Sequence, residues 1–148
     1  AEGLIKALPA PWIYVATAEI WDDEMRERVE RHKADRSEKG WLTIEAPLDL
    51  AAALATSQPV LVDCLTLWVT NLMLGAHDIE AAYDRLEAAL ATRTAPTILV
   101  ANEVGLGIVP DNKMAREFRD HAGRLHQRLA QKADRVTLMV AGLPLTVK

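Results

Sequence analysis

The chain has 148 residues, half of them hydrophobic and 26% charged, with a formal net charge of −4, which is the balance of one globular domain with a real core and is read as a single domain over 1–148. An acidic chain without a basic stripe argues against a nucleic-acid partner, although it leaves room for a local basic pocket. Cys64 is the only cysteine, which rules out a disulfide framework within one chain, and no apolar run reaches a membrane span, so a cytoplasmic protein without a signal peptide is expected.

Residues 1–8 are compatible with a short helix that Pro9 and Pro11 end. WIYVA at 12–16 reads as a buried strand, with Thr17 and Ala18 at its carboxyl end. A helix is expected to follow from Asp22 as its cap, with Asp23 and Glu24 in its first turn and Arg31 and Lys33 near its end, an order that suits the helix dipole. On it Met25, Val29, His32 and Arg36 share one face. After a polar turn over 37–40, WLTI at 41–44 is a short strand closed by Glu45. An Ala/Leu-rich helix over 48–55 comes next. Val60, Leu61 and Val62 form a buried strand that stops at Asp63, followed by helices over 66–74 and from Asp78 to about 91.

Residues 97–120 organise the rest: an apolar strand stops at Asn102-Glu103, a loop carries Gly105 and Gly107, and a long helix runs from about Asn112 to Lys132. Met114, Phe118, Ala122, Leu125 and Leu129 mark its expected buried face. Further strands are expected at 135–140 and 145–147. Strands apolar on both faces and alternating with helices imply an α/β fold, a parallel sheet sandwiched by helices.

Thr17, Asp63 and Glu103 end three of these strands, and in a parallel sheet such carboxyl ends lie along one rim, where ligands bind. An apolar strand ending in Asp63 matches the pattern that holds Mg2+ in P-loop nucleotide enzymes, although many buried strands end this way. The other half of such a site, a G-x-x-x-x-G-K-[ST] loop, does not occur, and Gly105-Leu106-Gly107 is no substitute. His77, His121 and His126 read as structural or solvent-facing. His32 keeps different company, with Arg31, Lys33 and Arg36 around it. Cations favour the neutral, nucleophilic imidazole and bind polyphosphate, while the same residues also suit a solvated basic helix end.

WIYVATAEIWDDEMRERVERHKADR, then VLVDCLTLWVTNLML, then ILVANEVGLGIVPDNKMAREFRDHAGRLHQRLAQKADRV together resemble the bifunctional adenosylcobinamide kinase / adenosylcobinamide-phosphate guanylyltransferases of cobalamin synthesis. The resemblance spans essentially the whole sequence, and NEVGLGIVP and the H-[KR]-x-x-R element carry its specificity. It implies a P-loop NTPase fold of RecA-like type. It implies phosphorylation of a cobinamide hydroxyl by ATP or GTP, then transfer of GMP from GTP to that phosphate, with Mg2+ as cofactor and a homotrimeric assembly. The family's nucleophile falls on His32, which would carry GMP covalently. Its nucleotide contacts fall on Ala16, Thr17, Ala18, Lys33, Ala34, Asp35, Arg36, Glu45 and Asp63, with Asp63 also holding Mg2+. Glu103, at another rim strand, is expected to position the acceptor or a metal-bound water.

Family members begin with a strand and a G-G-x-x-S-G-K-S loop ahead of an Ala/Glu-rich helix. Ala1-Glu2-Gly3-Leu4-Ile5 resembles that helix, so the expectation is that the natural protein carries the strand and loop ahead of Ala1. Two other readings stand beside this one: a different RecA-like P-loop ATPase with a structural His32, and a non-catalytic nucleotide-binding protein if the loop is truly absent.

Overall fold

The apolar strands read from the sequence assemble as a parallel sheet in the order β2-β1-β3-β4. The computed structural model describes residues 1–19 and 40–148, which fall into two compact units, Ala1–Glu103 and Val104–Lys148. The first unit contains α1 (Glu2–Lys6), β1 (Trp12–Ala16), β2 (Trp41–Glu45), α2 (Leu50–Ala53), β3 (Val60–Asp63), α3 (Leu65–Leu74), α4 (Ile79–Thr92) and β4 (Thr97–Val100). The helix expected from Asp22, with its cap and its shared face, lies outside the described residues.

Both faces of the central strands β1 and β3 are covered, which is why these two are continuously apolar instead of alternating. On one face Ile5, Tyr14, Trp41 and Leu61 form a buried cluster, with Leu8, Trp12, Ala16, Ile98 and Val100 packed against it. Ile13, Val15, Val60 and Val62, which point the other way along the same strands, are equally buried. Helices α2, α3 and α4 contribute the buried Leu50, Leu54, Trp68, Leu72, Tyr83 and Leu86. The rings of Trp68 and Tyr83 lie 5.8 Å apart.

The amino ends of β3 and β4 are tied together by Arg93. Its guanidinium donates to the carbonyls of Leu54, Thr56 and Gln58, and its Nε donates to Thr97 Oγ1 at 2.7 Å. Burial lowers the Arg93 pKa from its ordinary value. Asp49 and Asp78 cap α2 and α4 by accepting from Ala52 N and Ala81 N, each at 3.0 Å, the role expected of Asp78.

In the second unit, α5 (Lys113–Lys132) starts at the cap Asn112, whose side chain accepts from Ala115 N at 2.8 Å. Ala122, Leu125 and Leu129 form its buried stripe, as expected. Met114 and Phe118 do not join them: Phe118 is only half-buried, and Met114 is 61% exposed, standing in the first turn after a loop whose own apolar side chains are exposed. The final strands also differ from the sequence reading. β5 (Thr137–Val140) and β6 (Leu143–Thr146) pair antiparallel as a separate two-stranded sheet and do not extend the parallel one. Ala141 and Gly142 both have positive φ, the backbone of a two-residue turn that folds a chain straight back on itself.

Candidate functional site

Strand register builds a row along the carboxyl rim of the parallel sheet. Ala16 is opposite Glu45 on one side and Asp63 on the other, and Asp63 is opposite Val100. Residues level with each other in adjacent parallel strands share a face. The small Ala16 thus separates two acidic positions whose backbones are roughly 9–10 Å apart, twice the strand spacing. Glu45 is exposed and Asp63 half-buried.

Thr17, the next residue of the rim, is fully buried. Its hydroxyl accepts from Cys64 N at 2.9 Å and donates to Cys64 O at 2.7 Å, while its own N–H donates to Asp63 O at 3.2 Å. Its carbonyl accepts from Asn71 Nδ2 at 2.7 Å. The same amide nitrogen donates to Pro47 O at 3.0 Å. Asn71, 5% exposed on α3, therefore joins the segment after β1 to the turn after β2. Thr66, one turn earlier, accepts from Asn102 N at 2.8 Å and so holds the end of β4. Three rim segments are fixed by one helix, and the backbone polar groups exposed where strands stop are satisfied in the process.

The Asp63 carboxylate has its own partner: the Tyr14 hydroxyl donates to Oδ2. Among the described residues no three His, Cys, Asp or Glu side chains converge as a metal site. A single carboxylate is nonetheless a fitting donor for Mg2+, which takes one or two carboxylates and completes its shell with water and substrate phosphates.

Of the residues singled out in the sequence, Ala16, Thr17, Glu45 and Asp63 are brought to this rim, with Ala18 half-buried one residue on. Glu103 is exposed, directly after the Asn102 that Thr66 holds. His32, Lys33, Ala34, Asp35 and Arg36 lie outside the described residues. No local sequence pattern singles out Tyr14, Thr66 and Asn71. A tyrosine in a buried strand must place its hydroxyl somewhere, and so must an asparagine in an apolar helix their amide groups. Only strand order, however, reveals which neighbours those groups meet.

The loop after the rim belongs to the second unit. Arg116 of α5 donates to the carbonyls of Pro110 and Asp111, and Arg119 to that of Gly105. The loop backbone is thus pinned to α5 while Leu106 and Ile108 remain 84% and 97% exposed.

A family model described as cobinamide kinase / cobinamide phosphate guanyltransferase matches residues 1–147. A bifunctional adenosylcobalamin biosynthesis protein, CobP, from Pseudomonas aeruginosa is 43% identical over 91% of this chain and 81% of its own length. Bifunctional adenosylcobalamin biosynthesis proteins named CobU are also similar. That from Salmonella typhimurium is 43% identical over 100% of this chain and 91% of its own. That from Escherichia coli is 40% identical over 92% and 85%.

Proposed function

The chain belongs to the cobinamide kinase / cobinamide phosphate guanyltransferase family, and we propose that it runs both reactions at the rim of its parallel sheet, the GMP transfer passing through a guanylyl-histidine. It is a transferase, an adenosylcobinamide kinase and adenosylcobinamide-phosphate guanylyltransferase with a P-loop NTPase type of fold. The observation that carries the reading is the match over residues 1–147. The rim supports it, because Ala16, Glu45 and Asp63 stand level on one face where open α/β sheets bind ligands.

In the kinase step the cobinamide hydroxyl oxygen attacks the γ-phosphorus of ATP or GTP. Its bond to the β-phosphate oxygen breaks, and the hydroxyl proton is released. In the second reaction an imidazole nitrogen of His32 attacks the α-phosphorus of GTP and pyrophosphate leaves. A phosphate oxygen of adenosylcobinamide phosphate then attacks the same phosphorus, the N–P bond breaks, and adenosylcobinamide-GDP departs with His32 restored. Splitting the transfer replaces one difficult displacement by two easier ones.

Lys33 and Arg36 neutralise phosphate charge, the main demand of phosphoryl transfer. Ala16, Ala18, Ala34, Asp35 and Glu45 contact the nucleotide, Thr17, buried with its polar groups committed, serves them by fixing the rim backbone, and Glu103 positions the acceptor. Asp63 would hold Mg2+, which supplies positive charge to the phosphates when bound. The assembly is a homotrimer. Exposed apolar side chains in the second unit, among them Leu106, Ile108 and Val109 within four residues of one loop, support association, since exposed apolar surface is a feature of interaction sites.

Supplying adenosylcobinamide, ATP, GTP and Mg2+ to the intact protein tests the sequence of steps. Wild type is expected to form adenosylcobinamide-GDP, and His32→Ala to stop at adenosylcobinamide phosphate. A His32→Ala variant that makes adenosylcobinamide-GDP at the wild-type rate removes the histidine from the mechanism.

A further inference from the structure

We infer that Tyr14 is a positioning residue for Asp63: its hydroxyl fixes one carboxylate oxygen and so readies the other for a Mg2+-bound nucleotide. The inference rests on the reading of Asp63 as the residue that holds Mg2+, and it adds a residue to which no role has been assigned.

The register explains how the two meet. Tyr14 is opposite Leu61 and Asp63 is opposite Ala16, so Tyr14 and Asp63 are diagonal neighbours on one face, a separation that a phenol spans. Ala16, level with Asp63 and two residues after Tyr14 on the same face, is small enough to leave space for the contact. The Tyr14 hydroxyl donates to Asp63 Oδ2. A hydroxyl bound to a carboxylate is a charge-assisted hydrogen bond, roughly twice as strong as a neutral one.

The phenol can act as a fixed point because its ring is immobilised beneath the rim. Tyr14 is 7% exposed and packs with Ile5, Trp41 and Leu61. Its ring meets that of Trp41 edge-on, at 6.1 Å and 85°. The main chain of Asp63 is held separately, through its carbonyl, by Thr17 N. With backbone and one carboxylate oxygen both restrained, Asp63 has little rotamer freedom left to lose when a ligand arrives, and preorganisation of that kind raises affinity. Carboxylates that bind metals are commonly oriented by such outer hydrogen bonds.

Tyr14→Phe removes only the hydroxyl and keeps the packed ring. Affinity for GTP, measured by titration calorimetry with and without Mg2+, should be compared for the intact wild type, Tyr14→Phe, Asp63→Asn and the double variant. Wild type is expected to bind GTP more tightly with Mg2+ than without it, and Asp63→Asn to lose that difference. Tyr14→Phe should lose about tenfold of the Mg2+-dependent tightening, the scale of one charge-assisted hydrogen bond, with metal-free affinity unchanged. In the Asp63→Asn background it should have no further effect. If Asp63→Asn loses the Mg2+ response and Tyr14→Phe keeps it in full, the role given to Tyr14 is overturned and that of Asp63 stands. Equal weakening with and without the metal marks Tyr14 as a packing residue and also overturns the inference. A wild type without a Mg2+ response, or an Asp63→Asn variant that retains it, overturns the reading of Asp63 itself.

Discussion

Every polar group of Thr17 is committed to the rim: N–H to Asp63, carbonyl to Asn71, hydroxyl to both the N–H and the carbonyl of Cys64. Thr17→Val keeps the shape but orphans two buried backbone groups, and should cost about 2–3 kcal/mol of unfolding free energy in urea melts. Thr17→Ser should recover most of it. Arg93 does comparable work at the amino ends of the strands, so Arg93→Ala should cost about 2–4 kcal/mol through its lost carbonyl contacts. Burial lowers the Arg93 pKa, so any stability linked to its titration changes only at strongly alkaline pH. The guanidinium stays charged in folded and unfolded chains near neutrality. The Arg93→Ala loss should therefore be the same at pH 6 and pH 8, and a loss that grows between them would contradict this account. At this scale the sequence marked where chemistry sits better than what each group touches. Thr17 and Asp63 were legible because they end apolar runs. Tyr14 and Asn71 were not, because their partners lie 49 and 54 residues away in the chain, and no local pattern announces a contact of that span.

The elements themselves were legible where burial or capping is one-sided in its demands. β1, β3 and β4 are apolar on both faces and bounded by breakers, and α4 and α5 begin at side-chain caps, so their positions follow from local chemistry. Removing a cap by Asp78→Ala should cost about 1 kcal/mol, read as a lowered urea midpoint with an unchanged slope. The pairing of β5 with β6 was not legible. Its turn is Ala141-Gly142, where the first residue takes a φ of 51° without being Gly, Asn or Asp, so the usual turn signal is missing. That conformation is disfavoured for alanine, and Ala141→Gly should stabilise the protein by about 1 kcal/mol. A destabilised Ala141→Gly variant would mean that the turn has another backbone form. Met114 misled for a related reason: helical periodicity assigns a face, but only packing decides how far along the helix that face stays covered.

For the molecule as a whole, composition and strand pattern were enough for an α/β fold, and the family match over residues 1–147 fixes the chemistry class. The sheet order β2-β1-β3-β4, which aligns Glu45, Ala16 and Asp63, was beyond sequence reasoning because parallel neighbours are set by long crossovers. Among the described residues no helix is long and apolar enough to cross a membrane. The proposed homotrimer predicts a sedimentation mass of three chains at micromolar concentration, and a monomer there would contradict it. The most direct test of the central proposal concerns His32. The intact wild type and His32→Ala should be incubated with Mg2+ and GTP labelled at the α-phosphate, then denatured in alkali, since phosphoramidates survive base and break down in acid. Alkali-stable, acid-labile label on wild type and none on His32→Ala is the predicted result. Absence of label on wild type, in protein shown by mass to carry the phosphate loop, would contradict the guanylyl-histidine route.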